Sequence, residues 1–187
     1  MDRDQGIPID ASLHTASAAP LMLRLLTGKA GEMAALQHVL ESSPAYFHTV
    51  TGLPPGPAEA QSTFTALPPD KDYDDKRVWG LYAGDDMIGC VDVIRGYPVR
   101  DKAVIGLLLL AEHWQRRGFG RAFALLVERM IAAWPEITTL RIGVIEQNVG
   151  TLAFWRKLVY VETGEVKSPD QSYIGHVVVL EKPLARD

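Results

Sequence analysis

Leu107-Leu108-Leu109-Leu110-Ala111-Glu112-His113-Trp114-Gln115-Arg116-Arg117-Gly118-Phe119-Gly120-Arg121 is an apolar strand that runs through a glycine-containing turn into a helix. That order of elements makes an anion cradle. The first turn of a helix carries N–H groups without intrahelical acceptors and a partial positive charge, and glycine permits close backbone approach. Arg116, Arg117 and Arg121 lie where cations oppose the helix dipole, so an anion among them would relieve the repulsion. Two readings stand side by side: solvated arginines around a tight turn, or a phosphate site, which the upstream strand favours. The nucleotide motif G-x-x-x-x-G-K-[ST] is absent, and G-x-G-x-x-G fails because Phe123 occupies the third glycine position.

Downstream, Phe119, Ala122, Phe123, Leu126, Met130 and Ala133 recur at helical spacing, which predicts a helix from near Gly118 to Ala133, stopped by Pro135. A strand from Ile137 to Ile145, a helix from Val149 to Leu158 and strands from Tyr160 to Val166 and Tyr173 to Leu180 follow. Upstream, Val78 to Ala83, Met87 to Ile94 and Ala103 to Leu110 read as strands, separated by Gly84-Asp85-Asp86 and Gly96-Tyr97-Pro98, an antiparallel meander. A first strand fits Leu21 to Leu26, and a helix fits Glu32 to Leu40, with Met33, Leu36 and Leu40 on one face. The Pro-rich stretch Leu53 to Pro57 breaks the chain before a second helix, Ala58 to Ala66, and a mixed-charge loop, Pro68 to Arg77. The fold class is α+β (mixed α/β), with helices covering a central sheet. Residues 1–19 read as a flexible N-terminal tail and 20–187 as a single domain.

The chain has 187 residues, 47% hydrophobic and 22% charged, enough for one well-filled core. Nineteen Lys and Arg against 23 Asp and Glu leave a net charge of −4, which offers no global field for nucleic acid or an anionic membrane. No nucleic-acid or membrane partner is therefore expected. There is no run of 18 apolar residues, and Met1-Asp2-Arg3-Asp4 does not open a secretory signal, so a cytoplasmic location is expected. A single Cys90 and five scattered His match no zinc spacing, so no metal is expected.

Gln115-Arg116-Arg117-Gly118-Phe119-Gly120 resembles the Q/R-x-x-G-x-G/A signature of the GNAT superfamily of acyl-CoA-dependent N-acetyltransferases. Asn148-Val149-Gly150-Thr151-Leu152-Ala153-Phe154-Trp155-Arg156-Lys157-Leu158-Val159-Tyr160 resembles the family's N-x-x-A-x-x-(F/Y)-(Y/W)-x-K-x-G-F block. The resemblance covers roughly residues 21–182. It implies a mixed, mostly antiparallel central sheet flanked by helices and acetyl-CoA as co-substrate. It further implies transfer of acetyl to a primary amine, on a small molecule or a peptide, by direct attack in a ternary complex.

By the same resemblance, Gln115, Arg116, Arg117, Gly118, Phe119, Gly120 and Arg121 would hold the diphosphate. Main-chain groups near Leu108 and Leu110 would pair with the pantetheine arm, and Asn148 would touch it while also capping the following helix. Subunits of such proteins frequently pair, which makes a homodimer the expected assembly. Two positions depart from the pattern. Val159 replaces a glycine, and Trp155 stands where many members carry the Tyr that protonates the thiolate. Its indole N–H can donate to the cofactor, or the ring can be a core aromatic. The missing acid keeps open a non-catalytic acyl-CoA-binding or partner-binding module of the same fold.

Acyl transfer requires a neutral amine, so near pH 7 a base must take a proton from an ammonium whose pKa is about 10. Asp92 interrupts the apolar strand and is expected to point with Ile88, Cys90 and Ile94; it is either that base or the ion-pair partner of Arg77 or Arg95. Glu112 is the second candidate, with His113 beside it, or both face solvent. Cys90 has no adjacent basic group and reads as an inert core thiol. Tyr46, Phe47, His48 and Tyr97 are in segments that could line an acceptor pocket.

Overall fold

The strands were expected to form a meander, and β3 (Lys76–Ala83), β4 (Asp86–Arg95) and β5 (Lys102–Leu110) do pair antiparallel in sequence order. The computed structural model describes residues 7–8, 21–170 and 172–185. The tail expected over residues 1–19 lies outside the described residues apart from β1 (Ile7–Pro8), whose backbone pairs with β2 (Leu21–Leu25). β6 (Thr139–Ile145), β7 (Val161–Lys167) and β8 (Val177–Pro183) complete an eight-stranded sheet in the order β1-β2-β3-β4-β5-β6-β8-β7. Every neighbouring pair is antiparallel except β5 with β6.

Helices cover both faces because each presents an apolar stripe. α4 (Phe119–Ala132) buries Phe123, Leu126, Val127 and Ile131 against Val91, Val93, Ile105, Leu140 and Ile142 on one face, and α5 (Val149–Lys157) adds Leu152 and Trp155. On the other face, α1 (Ala30–Glu41) and α2 (Pro44–Thr51) bury Leu36, Val39, Leu40 and Phe47 with Met87, Cys90 and Leu109; α3 (Glu59–Thr65) adds Ala60. The sequence reading contains no counterpart of α2. Its signals are the Pro44 start and a left-handed Gly52 at φ 75° after its last turn. No helix among the described residues is long and apolar enough to cross a membrane.

Two bulges in this sheet set the site. Leu81 pairs with Gly89 and Tyr82 with Met87, so Ile88 is an extra residue in β4. The alternation reverses there. Ile88 joins Val91 and Val93 on the α4 face, whereas Cys90 points to the α1 face, and Asp92 follows Cys90. The expected alignment of Asp92 with Ile88 is thereby corrected. In β5, Asp92 pairs with Leu107 and Val93 with Ile105, which makes Gly106 the extra residue. A Cβ on Gly106 would come within 3.2 Å of Asp92 Oδ2, so this carboxylate occupies the space that a side chain would need.

The parallel ladder runs only from Lys102↔Thr139 to Ile105↔Ile142. Beyond that point β5 continues to Leu110 along β4, and β6 continues to Ile145 along β8. The two strands part, and a wedge opens in the middle of the sheet.

Val159, the position where the family pattern has glycine, keeps the turn between α5 and β7 at φ 63°, with an exposed side chain. A β-branched residue in the left-handed region is strained by roughly 1–2 kcal/mol. Val159→Gly is therefore expected to stabilise the protein by about 1 kcal/mol, net of the entropy glycine loses on folding, as a rise in the urea midpoint.

Candidate active site

The end of β5 is oriented by one hydrogen bond, from Ala111 N–H to Ile88 O at 3.0 Å. Donor direction alternates along a strand, so the N–H groups of Leu108 and Leu110 face the wedge rather than β4. The Leu110 carbonyl faces the same way and accepts from Gln115 Nε2 at 2.8 Å. The side chain of Gln115 is thus spent on the strand end, and its expected place at the cofactor reduces to the position of its backbone.

After Leu110, Glu112–Trp114 make one 3-10 turn, and Arg116 at φ 58° and Gly118 at φ 87° swing the chain into α4. Gly118 precedes the helix with nothing within 4 Å of the point where a Cβ would stand. Ala122 is the first amide of α4 with a backbone acceptor, Gly118 O at 3.4 Å, and among the described residues the Phe119, Gly120 and Arg121 N–H groups have none. Phe119 has its ring buried against Trp114 at 5.4 Å, so the helix start is anchored by packing. Among the described residues, Arg116, Arg117 and Arg121 form no ion pair; Arg117 lies over the Trp114 ring at 5.5 Å. The structure therefore brings the arginines, the glycines and the uncapped amides together as an anion cradle at the mouth of the wedge.

Asn148 sits across the wedge at the start of α5, where its Oδ1 accepts from Thr151 N–H at 3.2 Å, the capping role expected of it. Trp155 is buried edge-on to Tyr160 at 4.9 Å and to Phe154 at 5.1 Å, which makes it a core aromatic. Its neighbour Phe154 is the ring that borders the cradle, since a Cβ on Gly120 would be 3.6 Å from Phe154 Cε2. Of the two readings of Trp155, this packing fits the core aromatic; nothing in the sequence marks Phe154 as the ring beside Gly120.

Asp92 is paired with Lys76, whose Nζ lies 2.7 Å from Oδ1 and donates also to Ala66 O at 2.9 Å. The expected partners are elsewhere: Arg77 donates to the Asp74 and Lys76 carbonyls, and Arg95 pairs with Glu136. Side-chain exposure is 3% for Lys76 and 15% for Asp92, so both charges are largely out of water. Burial pushes the Asp92 carboxyl above its ordinary value despite the pull of the Lys76 ammonium in the opposite direction. Burial raises the pKa of the Tyr46 and Tyr173 hydroxyls, and the charge of Asp92 adds a smaller push in the same direction. Cys90 is fully buried on the same face, its thiol pushed up to about 12 by desolvation.

Glu112 is exposed but engaged: its Oε1 accepts the Ala45 N–H at 2.8 Å in the first turn of α2. His113 is exposed and rests against Trp114 at 5.7 Å. Glu112 thus meets the α1–α2 junction, on the face of the sheet where Asp92 lies, but among the described residues neither it nor His113 is bonded to Asp92, whose side chain is held by Lys76. Over the bonded stretch of β5 and β6 and the neighbouring β7, a groove of about 310 Å³ is lined by Tyr97, Val104, Arg141, Gly143, Glu165 and Lys167. Val104 and Arg141 alternate with Ile105 and Ile142, which face α4, so the groove opens on the opposite face of the sheet.

A strand end whose N–H groups face the wedge, uncapped amides among arginines and a buried carboxylate at Gly106, beside the fork, are the parts that acyl transfer needs. The model of the acetyltransferase (GNAT) family matches residues 43–159, and the chain belongs to that family. The chain is 26% identical to an acetyltransferase of Thermus thermophilus, with a TM-score of 0.66 over 87% of this chain and 97% of that one. A RimL ribosomal L7/L12 alpha-N-protein acetyltransferase in complex with coenzyme A superposes with a TM-score of 0.70 at 16% identity, over 91% and 97% of the chains. A PaiA N-acetyltransferase of Thermoplasma acidophilum, also in complex with coenzyme A, gives 0.59 at 19% identity over 88% and 98%. No curated protein matches the sequence.

The buried pair yields a stability expectation. Lys76→Met leaves the Asp92 carboxylate without its ammonium and should cost about 3–5 kcal/mol in urea unfolding. The double variant Lys76→Met/Asp92→Leu should recover most of that loss.

Proposed function

We propose that this protein is an N-acetyltransferase that moves acetyl from acetyl-CoA to a primary amine by direct transfer, with both substrates bound together. The observation that carries the reading is the wedge: one strand edge with free N–H donors leads from an anion cradle to a buried carboxylate. The cradle suits the diphosphate of coenzyme A on structural grounds. Among the described residues three amides lack acceptors and three guanidinium groups lack ionic partners, and Gly118 leaves open space at a conformation that side chains avoid. The relatives crystallised with coenzyme A support the same assignment.

When bound, acetyl-CoA supplies an activated acetyl thioester. The amides of 116–121 grip the diphosphate, and Arg116, Arg117 and Arg121 neutralise its charge. Leu108 and Leu110 donate their N–H groups as an added strand would require, so the pantetheine arm is held in the wedge. A fixed N–H aimed at the thioester oxygen stabilises the charge that grows there, and holding both reactants in place supplies much of the remaining acceleration. The amine arrives from the groove face, where Asp92 takes its proton through Oδ2, the oxygen turned toward Gly106. Lys76 holds the other oxygen, and its ammonium opposes the rise that burial causes in the carboxyl pKa. Trp155 is packed in the core, so the thiolate takes its proton from water.

The acceptor is a small amine or a peptide N-terminus, and the pairing of two subunits into a homodimer belongs to the same reading. Cytoplasmic operation is likewise proposed. The rival reading, a silent acyl-CoA-binding module, is favoured by the missing acid at Trp155.

Isothermal titration should show coenzyme A binding to the native protein, and Gly118→Val should weaken it at least about tenfold, since valine strains φ 87°. Retained affinity in that variant, or no binding to the native protein, would sink the cradle. Incubation with acetyl-CoA and a panel of amines should release free thiol; binding without release across the panel would leave the silent module.

Activity should rise with pH through a limb above the ordinary carboxylate range, because Asp92 accepts a proton only when ionised and burial raises its pKa. Asp92→Asn should remove that limb and lower kcat/KM by about 100-fold or more, measured as thiol release against pH.

A further inference from the structure

Glu112 reads from the sequence as a second candidate base, but the structure gives it a different occupation. Its N–H donates to Ser42 O at 3.1 Å, and its Oε1 accepts from Ala45 N–H at 2.8 Å. One residue thus ties both the end of α1 and the start of α2. Two residues earlier, the Leu110 carbonyl receives Gln115 Nε2 at 2.8 Å, and the fully buried Ser43 Oγ lies 3.3 Å from it. The strand end that points into the wedge, the loop that forms the anion cradle and the junction of the first two helices are therefore clamped at Leu110 and Glu112.

α2 is the element that this clamp positions. Tyr46, one residue beyond Ala45, packs on the cluster that contains Cys90 and Leu109 and also on the cluster of Val50, Ile145 and Val177. It spans the wedge from the β4–β5 side to the β6–β8 side, on the face where Asp92 lies. Ile174 N–H donates to Val50 O at 3.0 Å, so the segment before β8 is hung on the same helix. Wherever α2 goes, the wall of the acceptor face goes with it.

We propose that Glu112 is a positioning residue that transmits loading of the cradle to α2, so that coenzyme A binding orders the acceptor face before an amine arrives. This rests on the coenzyme A reading of the cradle. The energetics favour it because Glu112 and the loop 115–118 are exposed. The bond from Ala45 to Glu112 competes with water until the loop is held, and a ligand that fixes the loop removes part of the ordering cost of that bond. The carboxylate also carries its charge at the start of α2, where the helix dipole favours it. Because only an acceptor oxygen is needed for the hydrogen bond, glutamine can replace glutamate in this role. A proton-abstracting group could not be replaced so.

Hydrogen–deuterium exchange of the amides 45–50, with and without saturating coenzyme A, tests the proposal on the full chain. In the native protein coenzyme A should slow exchange in α2 by at least about fivefold. Glu112→Ala should still bind coenzyme A within a few-fold in titration calorimetry, yet lose that protection, whereas Glu112→Gln should retain it. Binding to the native protein without any slowing of α2, or protection undiminished in a folded Glu112→Ala, overturns the proposal and leaves the acyltransferase reading intact. No binding to the native protein overturns the reading beneath it instead. Should Glu112→Ala fail to fold, the native comparison and Glu112→Gln decide the matter alone: loss of protection in Glu112→Gln counts against the capping role. Transfer abolished in Glu112→Gln with protection kept would return Glu112 to proton transfer and also overturn the proposal.

Discussion

A parallel ladder that stops after four pairs governs this molecule. From Lys102↔Thr139 to Ile105↔Ile142 the two strands are bonded, and beyond that they belong to different halves of the sheet. Backbone N–H groups are obligatory donors, and strand edges in the middle of a sheet are ordinarily satisfied by the neighbour. Here the neighbour has moved away, and the donors of Leu108 and Leu110 are left for a ligand. The glycine turn and its arginines follow at the end of the same strand, so in the proposed function one departure from regular pairing aligns grip, track and reacting centre. The bulge at Gly106 sits at the fork and lets Asp92 Oδ2 approach a backbone without a Cβ in the way.

The strand-turn-helix at 107–121 was legible because it combines a long apolar run, two glycines and a strongly one-sided helix, each of which acts locally. The second block, at 148–160, was legible for the same reason, including the Asn148 cap. α2 was not. Pro44-Ala45-Tyr46-Phe47-His48-Thr49-Val50-Thr51 is rich in β-branched and aromatic residues and has little helical preference of its own. It is helical because Phe47 and Val50 are buried and because Glu112, distant in sequence, caps its first turn.

The partner of Asp92 was hidden for a related reason. Lys76 ends a loop of mixed charge that reads as solvated, and in sequence the arginines at 77 and 95 are the more obvious partners. Only the cross-strand register, in which Val78 faces Asp92 and Lys76 faces Ile94, puts the Lys76 stem diagonally over the carboxylate. The reversal at Ile88 that sends Asp92 to this face has no local signature beyond Gly89. Bulges of this kind are settled by how two strands and the helices above them fit together. A sequence read residue by residue carries no mark of that fit.

Cys90 gives the fold a chemical temperament of its own. The only sulfhydryl of the chain is sealed between β3, β5 and α1, with its proton held well into the alkaline range. Peroxide, alkylating agents and the disulfide form of the spent coenzyme all require a thiolate in contact with water. While the sheet stays closed, none of them finds one at Cys90, so this thiol is insulated from the redox state of its surroundings.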